Sequence, residues 1–119
     1  MTTATVTDLR NHPPRSPFEE LDGMMLLPRA IDKARAYIAG TLGEYSYCGC
    51  TVNAQLFETL GITEDEFLEA VRTAPTDEDV AAWIRDRVRP APARIAEMND
   101  RVSHDSHMDE LAKEEGYKA

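Results

Sequence analysis

The sequence is short of the features that most quickly place a protein. No segment approaches the roughly 18 consecutive apolar residues of a membrane-spanning helix, and the polar opening MTTATVTDLRNHPPRS holds no apolar run of signal-peptide length. A cytoplasmic protein without membrane contact is therefore expected. Cysteine is scarce: Cys48 and Cys50 are the only two, with Gly49 between them. Bridging them would close a small strained ring and remove little chain entropy, so both are read as thiols and neither argues for secretion. Basic residues are outnumbered, with Lys+Arg 13 against Asp+Glu 22 and a formal charge of -9. Residues 1–42 are balanced and the excess lies downstream; from Glu58 to Asp79 eight acids accompany the single Arg72. Such a surface repels phosphate backbones, so nucleic acid is not an expected partner. Internal repeats and convincing period-two alternation are also missing.

What remains is enough for one domain. The 119 residues are 42% hydrophobic, which fills a modest core. Residues 1–16, with threonines and paired prolines, read as a flexible arm, and His12 within it as an ordinary surface histidine. A helical domain is expected over 17–103 and a tail, helical in part, over 104–119. Ser16, Pro17 and Glu19 suggest a short helical turn ending near Gly23. Pro28 opens a helix whose Leu27, Ala30, Ile31, Ala34, Ile38 and Leu42 share one face. Asn53 is placed to cap the next helix, which Gly61 stops. Thr63 with Glu66, then Thr76 with Asp79, begin two more, and Ile95, Met98 and Val102 mark another beyond Pro90 and Pro92. The tail contributes Met108, Leu111 and Tyr117. The expectation is an all-α, compact single domain of five or six short amphipathic helices.

The helix after Pro28 carries the most chemistry. Arg29, Asp32, Lys33 and Ala36 lie opposite its apolar stripe, and Arg35 lies at the stripe's edge. Asp32 is spaced to pair with Arg29 or Arg35, which on a solvent face contributes about 0.2–0.5 kcal/mol. As a pocket wall, Arg29, Lys33 and Arg35 would bind or orient a carboxylate or phosphate while Asp32 fixes their direction. The loop EYSYCGC that follows supplies Glu44, Tyr45, Tyr47 and Cys48 as candidates for proton transfer, because a carboxyl group or phenol partly withdrawn from water has a displaced pKa. Cys48 and Cys50 would chelate a metal only if His104 and His107 completed the set.

LPRAIDKARAYIAGTLGEY, followed by LFETLGITEDEFLEAV, TDEDVAAWI and AEMND, resembles the bacterial family of domain of unknown function 5069. The resemblance runs from about Pro14 to Asp100 and is most specific at Leu27-Pro28-Arg29, Asp32-Lys33, Arg35 and Gly43-Glu44-Tyr45. It implies no activity. Members carry one cysteine shortly after the tyrosine and then Pro-Leu-Asp or similar, whereas CGCTVN stands here, so the resemblance assigns the second thiol no role.

Three functions are compatible with these residues. The first is a small cofactor-independent enzyme performing acid/base chemistry, of isomerase, cyclase or lyase type, on a small anionic metabolite. The second is a noncatalytic protein-interaction or ligand-binding module, which as a homodimer would bury an apolar patch. The third is a metal-binding protein using Cys48, Cys50, His104 and His107. An enzyme requires a concave pocket that draws on both the Arg29 helix and the loop at 44–50.

Overall fold

The computed structural model describes residues 8–117. The order is a two-stranded hairpin, β1 (Glu20–Leu21) and β2 (Met24–Met25), then α1 (Leu27–Ala39), α2 (Thr51–Leu60), α3 (Glu64–Thr73), α4 (Asp77–Trp83), α5 (Pro92–Ser103) and α6 (Ser106–Glu114). α4 runs on into a π-helical turn, Ile84–Val88. The protein is an all-α single domain, as its helical periodicity leads one to expect.

α1 is the centre of the molecule. Leu27, Ala30, Ile31 and Ala34 on its apolar stripe are fully enclosed by Leu56, Phe67, Val80, Ile84, Met98, Val102 and Met108 from the surrounding helices. Its other face is enclosed too: Arg29, Asp32 and Lys33 are all buried. A helix with two covered faces needs more than one partner layer. The second layer here comes from residues 9–16, the loop at 44–50 and the end of α6.

Several helix ends form as their sequences dictate. Thr63 and Glu66 make a reciprocal capping box on α3, the Thr76 hydroxyl accepts from the Asp79 amide at the start of α4, and Gly61 closes α2 in the left-handed conformation. Two local expectations differ. Residues 17–25 are a hairpin rather than a helical turn, because Asp22 and Gly23 both take positive φ (54° and 79°), the twist a two-residue hairpin requires. Asn99 on α5 holds this hairpin, accepting from the Met25 amide at 3.0 Å and donating to the Gly23 carbonyl at 2.7 Å. And α2 begins at Thr51 with Cys50 as the residue before it, which places Asn53 inside the first turn, buried, instead of at the cap.

The described part of the expected arm is packed. Leu9 is buried, its amide donates to the Thr41 carbonyl at 2.9 Å, and Pro14, Ser16 and Pro17 are enclosed as well. The reason is ionic: Arg15 is drawn onto α1 by Asp32 and onto the start of α4 by Asp77.

Candidate functional site

The polar face of α1 collects a buried charge cluster. Arg29 forms a two-pronged ion pair with Glu115, each nitrogen 2.7 Å from a carboxylate oxygen, and donates to the Arg15 carbonyl at 3.1 Å. Its Nε is buried without a hydrogen-bond partner among the described residues. One turn on, Asp32 accepts from Arg15 at 2.9 Å through both the backbone amide and the guanidinium. Asp77 bridges Arg15 (2.7 Å) and Arg35 (3.0 Å). The expected pairing of Asp32 with Arg29 or Arg35 along the helix is therefore replaced by pairs reaching across 14 or more positions. Covered charges need fixed partners, and the fixed partners come from other segments.

Lys33 lies beside Arg29 and is 4% exposed. Its Nζ is 3.2 Å from Cys50 Sγ and sits 5.8 Å from the centre of the Tyr45 ring. Cys50 stands immediately before the ten-residue helix α2. Burial pushes the Cys50 thiol up, but the amides of Asn53 and Val52 and the Lys33 ammonium outweigh it, and the thiol ends below its ordinary value of 9.0. Burial also carries Lys33 below 10.5, with attraction to Cys50 opposing the shift and Arg29 reinforcing it. Donor and acceptor thus lie in contact with both pKa values displaced downward. The charges pair off across the site: Arg15, Arg29 and Arg35 face three buried or half-buried carboxylates, Asp32, Asp77 and Glu115, and Lys33 faces the Cys50 sulfur.

Tyr45 closes this cluster on one side. Burial and the nearby Glu115 carboxylate raise its phenol above 10.0. The same residue lines a cleft of about 340 Å³ between residues 9–13 and 43–45, with Arg10, His12 and Glu44 around it. A slightly larger cavity of about 360 Å³ lies between α2 and α5, lined by Arg94, Arg101, Glu58, Glu97 and Asp105. Glu58, Arg94, Glu97 and Arg101 are exposed, and the cavity touches none of the buried cluster. The cleft at Tyr45 is the one next to chemistry.

The sequence-derived candidates are divided by the structure. Arg29, Asp32, Lys33, Arg35 and Tyr45 belong to the cluster or its wall, and Glu44 stands exposed at the cleft. Tyr47 is 1% exposed, stacked on Tyr37 and tilted against Phe57, and its hydroxyl donates to the Glu64 carbonyl, so it is part of the core. Cys48 is exposed. The metal set does not assemble: Cys50 faces Lys33, His104 Nδ1 lies 2.8 Å from the Asp100 carbonyl, and no group of three or more metal-binding side chains occurs among the described residues. His12, read as an ordinary surface group, is exposed but forms part of the cleft wall. Sequence reasoning missed Arg15, Asp77, Glu115 and Tyr117, whose hydroxyl donates to the Pro14 carbonyl at 2.7 Å, and considered Cys50 only as a metal ligand.

Residues 11–118 fit the model described as "Domain of unknown function (DUF5069)", and the chain belongs to that family. The match takes in the C-terminal tail, beyond the Pro14–Asp100 stretch that carries the visible resemblance. A comparison with curated proteins gives no match.

Proposed function

We propose that the protein is a small cofactor-independent enzyme that moves protons on a small anionic metabolite, with Lys33 and Cys50 as the acid/base pair. The single observation behind this reading is the 3.2 Å contact between a lysine that is 4% exposed and a thiol of lowered pKa. A general acid or base works best when its pKa lies near the working pH; burial moves Lys33 in that direction, and the Lys33 ammonium with the amides of α2 moves Cys50. Tyr45 stands between the cleft and the pair, while Arg29, expected to hold the substrate's anionic group, is committed to Glu115 and orients the neighbouring charges instead. Free thiols are compatible with a cytoplasmic setting. The proton-transfer role expected of Glu44, Tyr45, Tyr47 and Cys48 passes in this reading to Lys33 and Cys50.

The test is a titration of the full chain with small mono- and dicarboxylates and inorganic phosphate, followed by protein NMR. Binding that perturbs Lys33, Tyr45 and Cys50, weakens at least tenfold in Lys33→Met, and is accompanied by exchange of substrate C–H protons with deuterated solvent supports the enzyme. Binding with no exchange leaves the noncatalytic ligand-binding module in its place. If no anion perturbs those residues, both readings fall.

A further inference from the structure

The Lys33–Cys50 contact has a second chemical capacity that needs no substrate. A thiolate reacts with peroxides faster as its charged fraction rises, and the sulfenic acid that results is an electrophile at sulfur. Cys50 is half-buried, while the amine 3.2 Å away is enclosed. That amine is the nucleophile already in place.

We propose that Cys50 and Lys33 form a peroxide-driven, thiol-reversible sulfenyl amide cross-link that ties the start of α2 to α1. In the first step the Cys50 thiolate attacks a peroxide oxygen. An S–O bond forms, the O–O bond breaks, and the departing hydroxide or alkoxide takes up a proton. Sulfur is oxidised by two electrons and the peroxide is reduced. In the second step neutral Lys33 Nζ attacks the sulfur of the sulfenic acid; an N–S bond forms, the S–O bond breaks, and the hydroxyl leaves as water with a proton from nitrogen. An external thiol reverses the link by attacking sulfur and releasing the amine, and a second thiol then frees Cys50 from the mixed disulfide.

The surrounding charges favour this product over deeper oxidation. Cross-linking removes the ammonium and the thiolate together, so Arg15, Arg29 and Arg35 remain matched by Asp32, Asp77 and Glu115. A sulfinate would keep its negative charge and add oxygens in a site whose lysine is 4% exposed, with no room gained. The exposed Cys48 offers the competing fate, a strained disulfide across Gly49.

The experiment uses the full chain carrying Cys48→Ser, treated with hydrogen peroxide and read by intact-mass and peptide mass spectrometry. The expected product has lost two hydrogen atoms and its free thiol, resists trypsin after residue 33, and yields a linked peptide pair containing positions 33 and 50. Dithiothreitol restores the starting mass. Stable addition of two or three oxygens to Cys50 with Lys33 still cleaved overturns the proposal, as does a protein whose thiol is unchanged by peroxide. In the chain with both cysteines, a Cys48–Cys50 disulfide as the sole product also overturns it. No variant of Lys33 is needed, so a folding defect cannot obscure the reading, and because no anion is added the outcome is separate from the fate of the enzyme proposal.

Discussion

Arg29 and Glu115 meet across 86 positions of sequence as a two-pronged ion pair, with side chains 1% and 7% exposed. Such a pair costs desolvation on both sides, and removing one partner strands the other charge in a place water does not reach. Glu115→Gln should therefore lower unfolding free energy by about 3–5 kcal/mol, measured from the urea midpoint at constant slope. Replacing both residues by apolar ones of similar volume should cost less than either single change. A loss below 1 kcal/mol for Glu115→Gln, the range of about 0–1 kcal/mol typical of solvated pairs, would mean that the contact is open to solvent.

The thiol makes a prediction about rate. In Cys48→Ser protein, alkylation of Cys50 by iodoacetamide should follow a titration whose midpoint lies below 9.0, since the thiolate is the reactive form. Lys33→Met removes the ammonium and leaves the burial, so the midpoint should rise. A midpoint that stays put in Lys33→Met would show the amides of α2 alone to be responsible.

Acid should unfold the protein partly through Asp77. Burial pushes its carboxyl up, but Arg15 and then Arg35 outweigh burial and hold it below 3.8. A carboxylate with a depressed folded pKa adds stability that is complete above its unfolded value and lost as pH falls through its folded value. Unfolding free energy should thus decline below about pH 4, and Asp77→Asn should be less stable at neutral pH yet show a shallower acid decline in equilibrium melts.

Two glycines separate backbone strain from crowding. Gly43 and Gly49 both have positive φ, 63° and 71°, but a Cβ on Gly43 would meet the Arg10 Cα at 3.0 Å and the Leu9 carbonyl at 3.2 Å, whereas one on Gly49 meets open space. Gly49→Ala should cost about 1–2 kcal/mol from the left-handed conformation alone. Gly43→Ala should cost more and also loosen residues 9–13, which differential scanning calorimetry and amide exchange at Leu9 would detect.

The fold was more legible than the site. Thr63 with Glu66 and Gly61 after Leu60 act within four residues, and local sequence is sufficient for local hydrogen bonds. The Asp22-Gly23 turn was equally readable, but the prolines and serine before it pointed to a helix start and no alternating run flanked it. Arg29, Lys33 and Tyr45 could be singled out because polar residues fall on one side of α1. Their partners could not. Arg15 looked like a charge in a proline-rich arm, Glu115 like one acid among several in a tail, and Cys50 like the thiol with no counterpart in the family pattern. Each acquires its role from a contact at least 17 positions away, a distance over which periodicity and spacing carry no information.

The closure of α1 by Glu115 and Tyr117 also sets an order of events during synthesis. A growing chain can assemble its apolar stripe once α5 has emerged, but Arg29 must wait for residue 115 and the Pro14 carbonyl for residue 117. Until then the central helix holds an arginine that favours water over enclosure. The native state is thereby deferred until residues 115 and 117 have emerged, and a nascent chain halted before that point would keep its ionic face open to the solvent.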